Sequence, residues 1–185
     1  MIWLPRLAAG VWLETVGRGR FSPALGDRVV LVPVPGSASG QCAYWVGERL
    51  AWCLKEIGLA GEVWPVLRRQ HPVRKSACAA PGERPSVLEH YASFAVERTL
   101  CTKGYLQGLS GRREGGLRLT LVDDVITRGR TMIAAARRLQ EAFPGAQIRA
   151  FAFLRTLRPD EMLRQILDPC EGEVRWVSGD ARRWP

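Results

Sequence analysis

The chain has little histidine, and its cysteines lack the number and spacing of paired or metal-binding sets, which excludes several kinds of site. Its 185 residues include five cysteines and two histidines. The cysteines are scattered, odd in number and without a C-x-x-C pair, so neither a disulfide framework nor a zinc site is indicated. We expect free thiols in a reducing cytoplasm. A catalytic cysteine would need a histidine partner, which only His71 or His90 could provide.

Long hydrophobic runs and the common nucleotide motifs are also missing. No stretch approaches the roughly 20 apolar residues of a membrane span. The start at 1–7 is apolar but contains Arg6 and has no basic leader, so it does not predict a signal peptide. Neither G-x-x-x-x-G-K-[ST] nor G-x-G-x-x-G occurs, which disfavours an NTPase or a dinucleotide-dependent oxidoreductase. We expect a cytoplasmic protein with no membrane partner.

Basic residues exceed acidic ones, 27 against 18, which gives a net charge of +9. All but three of the basic residues are arginine. A positive field speeds the association of a ligand that carries several phosphate charges. Nucleic-acid binding is the rival explanation, but the basic residues are dispersed and no DNA-binding module is recognised. Nucleic acid therefore stays a partner that the sequence does not favour.

The order of secondary-structure patterns predicts one α/β domain. Strand and helix patterns alternate, which argues for a mostly parallel central sheet with helices on both faces. The segment 68–87 lacks clean periodicity, and we interpret it as a surface loop that could act as a lid. The predicted elements are strands at 28–34, 62–67, 119–126, 148–154 and, as an edge strand, 174–177, with helices at 41–57, 86–91 and about 130–143.

The most informative stretch is 119–131, which reads Leu-Thr-Leu-Val-Asp-Asp-Val-Ile-Thr-Arg-Gly-Arg-Thr. Its apolar start predicts a buried strand, so Asp123 and Asp124 would lie near the carboxyl end, where open α/β sheets bind ligands. Ionised carboxylates accept hydrogen bonds and suit the two hydroxyls of a ribose. Adjacent residues of a strand point to opposite faces, so both can act only if the strand has loosened by Asp123; otherwise one of them is structural.

A turn and a helix follow these carboxylates. Residues 127–131 place hydroxyls and successive backbone N–H groups around Gly129, and apolar residues then recur at helical spacing until Pro144-Gly145. The N–H groups at a helix N-terminus are unpaired and the helix dipole is positive there, so this turn suits a phosphate. The sequence predicts a sugar-phosphate site.

This stretch resembles the phosphoribosyl pyrophosphate (PRPP) motif of type I phosphoribosyltransferases, and most closely the ComF-like, competence-associated family. Val32-Pro33-Val34-Pro35 and the loop at 36–41 look like the family's first strand and pyrophosphate loop. The resemblance covers about 29–155, and it implies one domain over 1–185 with a small hood from 1–28 and 156–185. The N-terminal zinc ribbon of many ComF-like proteins is missing.

The resemblance implies Mg²⁺-dependent transfer of ribose 5-phosphate from PRPP to a nitrogenous base or amine. Asp123 and Asp124 would hold the ribose hydroxyls and contact Mg²⁺ directly or through water. The remaining assigned residues are Thr127, Arg128, Gly129, Arg130 and Thr131 for the 5-phosphate, Gly36, Ser37, Ala38 and Ser39 for pyrophosphate, and Arg74, Lys75 and Arg84 as catalytic cations from the lid. Such enzymes are frequently dimers, so a homodimer is allowed.

Two departures from the family pattern leave the reaction open. Arg128 and Arg130 replace smaller residues of the usual motif, and they could strengthen phosphate binding or remodel the loop by their bulk. The loop at 36–41 carries no Lys or Arg, although ComF-like chains commonly have basic residues there. The alternative is therefore a regulatory or DNA-uptake-associated protein that binds PRPP or a nucleoside monophosphate without turnover.

Overall fold

The computed structural model describes residues 24–38, 46–74, 83–101, 116–156 and 170–184. Two of the predicted site residues, Ser39 and Lys75, lie outside these ranges, as does the predicted start of the first helix. The elements in chain order are β1 Gly26–Pro33, α1 Val46–Glu56, β2 Ala60–Val63, β3 Leu67–Arg69, α2 Val87–Ser93, β4 Phe94–Val96, a single 3-10 turn Arg98–Leu100, β5 Arg118–Ile126, α3 Arg130–Ala142, β6 Gln147–Arg155, β7 Glu173–Val177 and β8 Asp180–Trp184.

Four of these strands form one parallel sheet in the order β2-β1-β5-β6. Its two central strands, β1 and β5, are buried apolar runs, as expected for a parallel sheet covered on both faces. The predicted strands at 28–34, 119–126 and 148–154 are thus confirmed, and so is the mostly parallel sheet. None of the helices in the described part of the chain has the length and hydrophobicity that a membrane span needs.

Alternate residues of β1 pack into two different apolar clusters. Val30 and Val32 join the cluster that contains the buried side chains of α3, whereas Val29 and Leu31 join the cluster that contains those of α1. Since alternate residues of a strand face opposite sides of the sheet, α1 and α3 cover opposite faces. Helices on both faces were predicted, and the structure confirms them.

The predicted strand at 62–67 is wrong in its extent, because the structure has two separate strands there. β2 ends at Val63 and β3 begins at Leu67. Pro65 lies between them and has no N–H to donate to a sheet, which explains the interruption. The predicted surface loop at 68–87 is also wrong at its ends. Residues 67–69 pair antiparallel with β4, and Ser86 caps α2 by a capping box with Glu89.

The segment at 174–177 was predicted as an edge strand, and the structure corrects this assignment. β7 pairs antiparallel with β8 in a two-stranded hairpin separate from the central sheet. Its turn residues Ser178 and Gly179 have φ values of 50° and 83°. Two successive residues with positive φ make the kind of tight turn that favours a hairpin. The hairpin packs against α3 through the buried Ala181.

The strand order reverses between β1 and β5. The chain moves from β1 outward to β2 on one side, and from β5 outward to β6 on the other. Ligands of open α/β sheets bind in the crevice at such a reversal, beyond the carboxyl ends of the strands. The expected ligand-binding positions are therefore the residues that follow β1 and those at the end of β5.

Candidate functional site

The ends of β1 and β5 lie side by side. Pro33 pairs with Val122, and the N–H of Val34 donates to the carbonyl of Val122 over 2.9 Å. The segment Pro35-Gly36 therefore leaves the sheet next to Asp123. This neighbourhood joins the predicted pyrophosphate loop and the predicted ribose-binding carboxylates at one edge of the sheet.

The two carboxylates do not occupy equivalent positions. β5 continues to Ile126 and stays paired with β6, so the strand has not loosened at Asp123. Strand alternation places Asp123 on the face of Leu119 and Leu121, and Asp124 on the opposite face. Asp123 lines the cleft beside the following turn. Asp124 is the member of the pair that the geometry favours as structural, because its Oδ1 accepts the N–H of Val125 over 2.8 Å.

The carboxyl of Asp123 is buried in an unusual electrostatic setting. Burial, reinforced by the neighbouring carboxyl of Asp124, raises the pKa of Asp123 to about 8. The positive charge of Arg69 opposes that rise in pKa, and so does the N–H of Asp124, which donates to Oδ1 of Asp123 over 3.0 Å. Strongly shifted carboxyl pKa values in a cleft are typical of functional sites.

The cleft forms around the turn into α3 and holds about 420 Å³ of empty space, part of it open to solvent. Gly129 has φ 86° and precedes the first residue of the helix, and its carbonyl accepts the N–H of Ile133 over 2.9 Å. The first-turn N–H groups of α3 have no partner within the helix. The residues that line the cleft are Arg84, Asp123, Val125, Ile126, Thr127, Arg128, Gly129, Arg130, Thr131 and Met132.

The β7–β8 hairpin packs directly on this turn. A Cβ placed on Gly129 would lie 2.5 Å from Cγ1 of Val174, so the hairpin approaches the glycine as closely as backbone allows. Arg130 donates through Nε and Nη2 to the two carboxylate oxygens of Asp180, over 2.5 and 2.6 Å. The same guanidinium donates through Nη1 to the carbonyls of Arg84 and Pro85, each over 3.2 Å.

These contacts change the interpretation of the two arginines predicted to bind the 5-phosphate. The guanidinium of Arg130 is occupied by Asp180 and two backbone carbonyls, so it fixes the turn to the hairpin. Arg128 makes a longer contact of 3.4 Å with Asp180, and its side chain is 63% exposed. Arg128 is therefore the one of the two that a ligand could recruit without dismantling the turn.

The cations predicted for the lid are placed differently from one another. Arg84 lines the cleft. Arg74 forms an ion pair of 2.8 Å with Glu83, and both side chains are exposed. The structure therefore does not bring Arg74 to the cleft, and the loop residues Gly36, Ser37 and Ala38 have no basic side chain of their own.

Sequence reasoning missed Arg69, which lies next to the end of β1. Its side chain is buried, although it was assigned to a surface loop. Nε donates to the carbonyl of Gly36 over 2.6 Å, Nη1 to Oγ of Ser93, and Nη2 makes a longer contact of 3.5 Å with the carbonyl of Pro35. The guanidinium also lies 4.2 Å from the centre of the Phe94 ring. No local pattern distinguishes Arg69 from its neighbour Arg68, because the burial of Arg69 depends on contacts with Gly36 and Ser93, which lie 33 and 24 positions away.

His90 was also missed as a neighbour of the turn. Its Nε2 lies 3.4 Å from Oγ1 of Thr131. Burial, and then the positive charge of Arg69, lower the pKa of His90 to about 4, so the ring is neutral at pH 7. Within the described residues Nδ1 has no hydrogen-bond partner.

Comparison with models of protein families and with curated proteins finds no match for this chain. The oxygen ligands around the cleft decide whether Mg²⁺ could bind there. The described residues contain no group of three or more metal-binding side chains. Mg²⁺ is commonly held by one or two carboxylates together with substrate phosphates and water. Asp123, which lines the cleft, fits such a shared ion, and a cation would stabilise its buried carboxyl in the ionised form. The predicted second ligand, Asp124, lies on the opposite face of β5 and is not among the residues that line the cleft.

Proposed function

We propose that the protein binds PRPP at the carboxyl edge of its parallel sheet and transfers the ribose 5-phosphate to a nitrogenous base or amine, with release of pyrophosphate. One observation carries the proposal. The Asp123 carboxyl and the turn 127–131 line one cleft, and that cleft adjoins the end of β1 at the reversal of strand order. These are the parts that a ribose carrying a phosphate at one end and pyrophosphate at the other would require.

Each end of the ligand has a matching group. The N–H groups at the start of α3, with the hydroxyls of Thr127 and Thr131, suit the 5-phosphate. In the ionised form that a bound cation favours, the carboxylate of Asp123 suits the ribose hydroxyls, since each charge-assisted hydrogen bond contributes about 1.5–3 kcal/mol. Backbone N–H groups of the loop 36–38 suit pyrophosphate. The proposal thus extends the type I phosphoribosyltransferase resemblance to the arrangement of these residues.

The proposed reaction breaks the bond between ribose C1 and the pyrophosphate oxygen, and it forms a bond from C1 to the acceptor nitrogen. The acceptor loses a proton, and pyrophosphate leaves with the electron pair of the broken bond. Positive charge develops on the ribose, so the chain contributes by positioning the reactants and by electrostatic stabilisation. Asp123 would help to hold Mg²⁺, which when bound would supply charge neutralisation for the leaving pyrophosphate.

A second candidate is a binding protein that senses PRPP or a nucleoside monophosphate without turnover. Two observations favour it. The loop 36–39 has no basic side chain, and Arg74 pairs with Glu83 at the surface instead of lining the cleft. Among the described residues of the lid, only Arg84 could then place a positive charge near a leaving pyrophosphate.

Calorimetry with PRPP and Mg²⁺ tests the site. We expect saturable binding that falls by about tenfold or more in an Asp123→Asn/Asp124→Asn double variant, because charge-assisted bonds to the ribose are lost. Asp27→Asn, an exposed aspartate of β1, serves as the control and should bind normally. No saturable binding, or equal affinity in the double variant, would refute the proposed site.

Release of pyrophosphate separates the two candidates. PRPP is incubated with Mg²⁺ and a panel of purines, pyrimidines and amines, and pyrophosphate is measured over time. A transferase should release it with at least one acceptor. Intact PRPP binding without release from any member of the panel would favour the sensor.

A further inference from the structure

In its described residues 35–38, the loop after β1 is anchored through its carbonyl groups. Arg69 donates to the carbonyls of Pro35 and Gly36, and the N–H of Val73 donates to the carbonyl of Ser37 over 2.9 Å. Three consecutive carbonyls are thus held by the single segment 69–73. The loop held in this way is the predicted pyrophosphate loop, which has no basic residue of its own.

The direction of the opposite groups follows from peptide geometry. In a planar trans peptide the N–H points away from the preceding carbonyl. The N–H groups of Gly36, Ser37 and Ala38 are therefore turned away from the segment 69–73. No described backbone carbonyl accepts a hydrogen bond from any of them. Successive N–H groups that face one side form a concavity suited to an anion.

Arg69 also supplies a buried positive charge. Its side chain is 5% exposed, and no described carboxylate lies within ion-pair distance of it. Burial lowers the pKa of Arg69 to about 10, so the group stays charged at neutral pH. Asp123 acts on it from a distance. A buried cation without a close counter-ion is costly to the fold unless it serves the surrounding groups.

We propose that Arg69 is a positioning residue for the pyrophosphate end of the ligand. Its guanidinium holds the carbonyl side of the loop so that the N–H groups of Gly36, Ser37 and Ala38 face the anion, and its charge lies behind them. This inference rests on the proposed function and names the residue that replaces the missing basic side chain of the loop. The planar fork is essential, because its three nitrogens reach three separate acceptors.

Arg69→Lys separates geometry from charge. Lysine keeps the positive charge but cannot reach the Gly36, Pro35 and Ser93 acceptors together. Binding is measured by calorimetry with three probes: PRPP, inorganic pyrophosphate and ribose 5-phosphate. We expect affinity for PRPP and pyrophosphate to fall by about tenfold, because oriented N–H groups are lost, and affinity for ribose 5-phosphate to stay within about twofold. In amide NMR spectra, pyrophosphate should shift Gly36 and Ser37 in the wild type and much less in the variant.

The neighbouring arginine gives a matched control. Arg68 pairs with Glu97 on the outer side of β3 over 3.3 Å, so Arg68→Lys should change none of the three affinities. Ser93→Ala provides a second test if Arg69→Lys does not fold, as judged by circular dichroism. It removes one acceptor of the guanidinium and leaves the charge in place. Affinity for pyrophosphate and PRPP should therefore weaken by about threefold, and affinity for ribose 5-phosphate should stay unchanged.

The outcomes are distinct. Equal weakening of all three probes would show that Arg69 supports only the fold, and unchanged affinities would show that it does not shape the loop; either result overturns the inference while the proposed function stands. A wild-type protein that binds neither PRPP nor ribose 5-phosphate would overturn the proposed function, and this inference with it.

Discussion

The buried carboxyl of Asp123 should make the protein less stable as the pH rises. Its pKa is raised from 3.8 to about 8 in the folded protein. The folded state therefore holds the proton more tightly than the unfolded chain does. The contribution of this group is most favourable below pH 3.8 and is lost progressively as the pH rises through about 8. Asp123→Asn removes the titration and keeps an oxygen that can accept the N–H of Asp124.

The size of the effect follows from the shift. A pH of 7 lies about 3 units above the pKa of this carboxyl in the unfolded chain, so the unfolded chain is ionised. The folded carboxyl, with its pKa of about 8, is still mostly protonated. At about 1.4 kcal/mol per unit, the ceiling is about 4 kcal/mol. Water and polar groups that reorient around the ionised carboxyl offset part of this free energy. We expect Asp123→Asn to gain about 1–3 kcal/mol at pH 7 and less than about 0.5 kcal/mol at pH 4.

Urea unfolding followed by circular dichroism from pH 4 to pH 8 measures this gain. The buffers contain neither divalent cations nor phosphate compounds, since a ligand at the site would change the pKa of Asp123. Asp27→Asn again serves as the exposed control and should match the wild type at every pH. A gain that does not vary with pH, or a loss of stability at pH 7, would refute the argument that the buried carboxyl destabilises the fold.

Two further substitutions test the surroundings of the turn. Gly129→Ala should cost about 2–4 kcal/mol by thermal unfolding, because its φ is positive and its Cβ would meet Val174, whereas Gly58→Ala, with a similar φ and open space, should cost only about 1 kcal/mol; equal costs would contradict the close packing of the hairpin. His90→Gln should reduce acid sensitivity, because the lowered pKa of His90 gives the wild type stability that is present above pH 6.5 and lost as the pH falls through about 4. An unchanged acid-unfolding curve would argue against a buried neutral ring.

The central sheet could be predicted because its signals are local. The apolar run of β5 and the helical spacing of α3, which ends before Pro144-Gly145, depend on residues within a few positions of each other. The strand β3 has no such signal, because its three residues acquire their conformation by pairing with β4 about 27 residues later. The hairpin at 173–184 was misjudged for a related reason. A strand pattern does not state which strand will be its partner.

The same distinction between local and long-range contacts applies to the candidate site. Asp123 and the turn 127–131 are contiguous in sequence, so one stretch of residues was enough to bring them together. The groups that modify this site come from afar: Arg69 contacts Gly36 across 33 positions, and Asp180 contacts Arg130 across 50. A sequence without a basic residue in the loop 36–39 suggests a weak anion site, but the fold delivers a buried guanidinium to the back of that loop. The charge near a loop is therefore set by tertiary packing, and the composition of the loop alone is a poor measure of it.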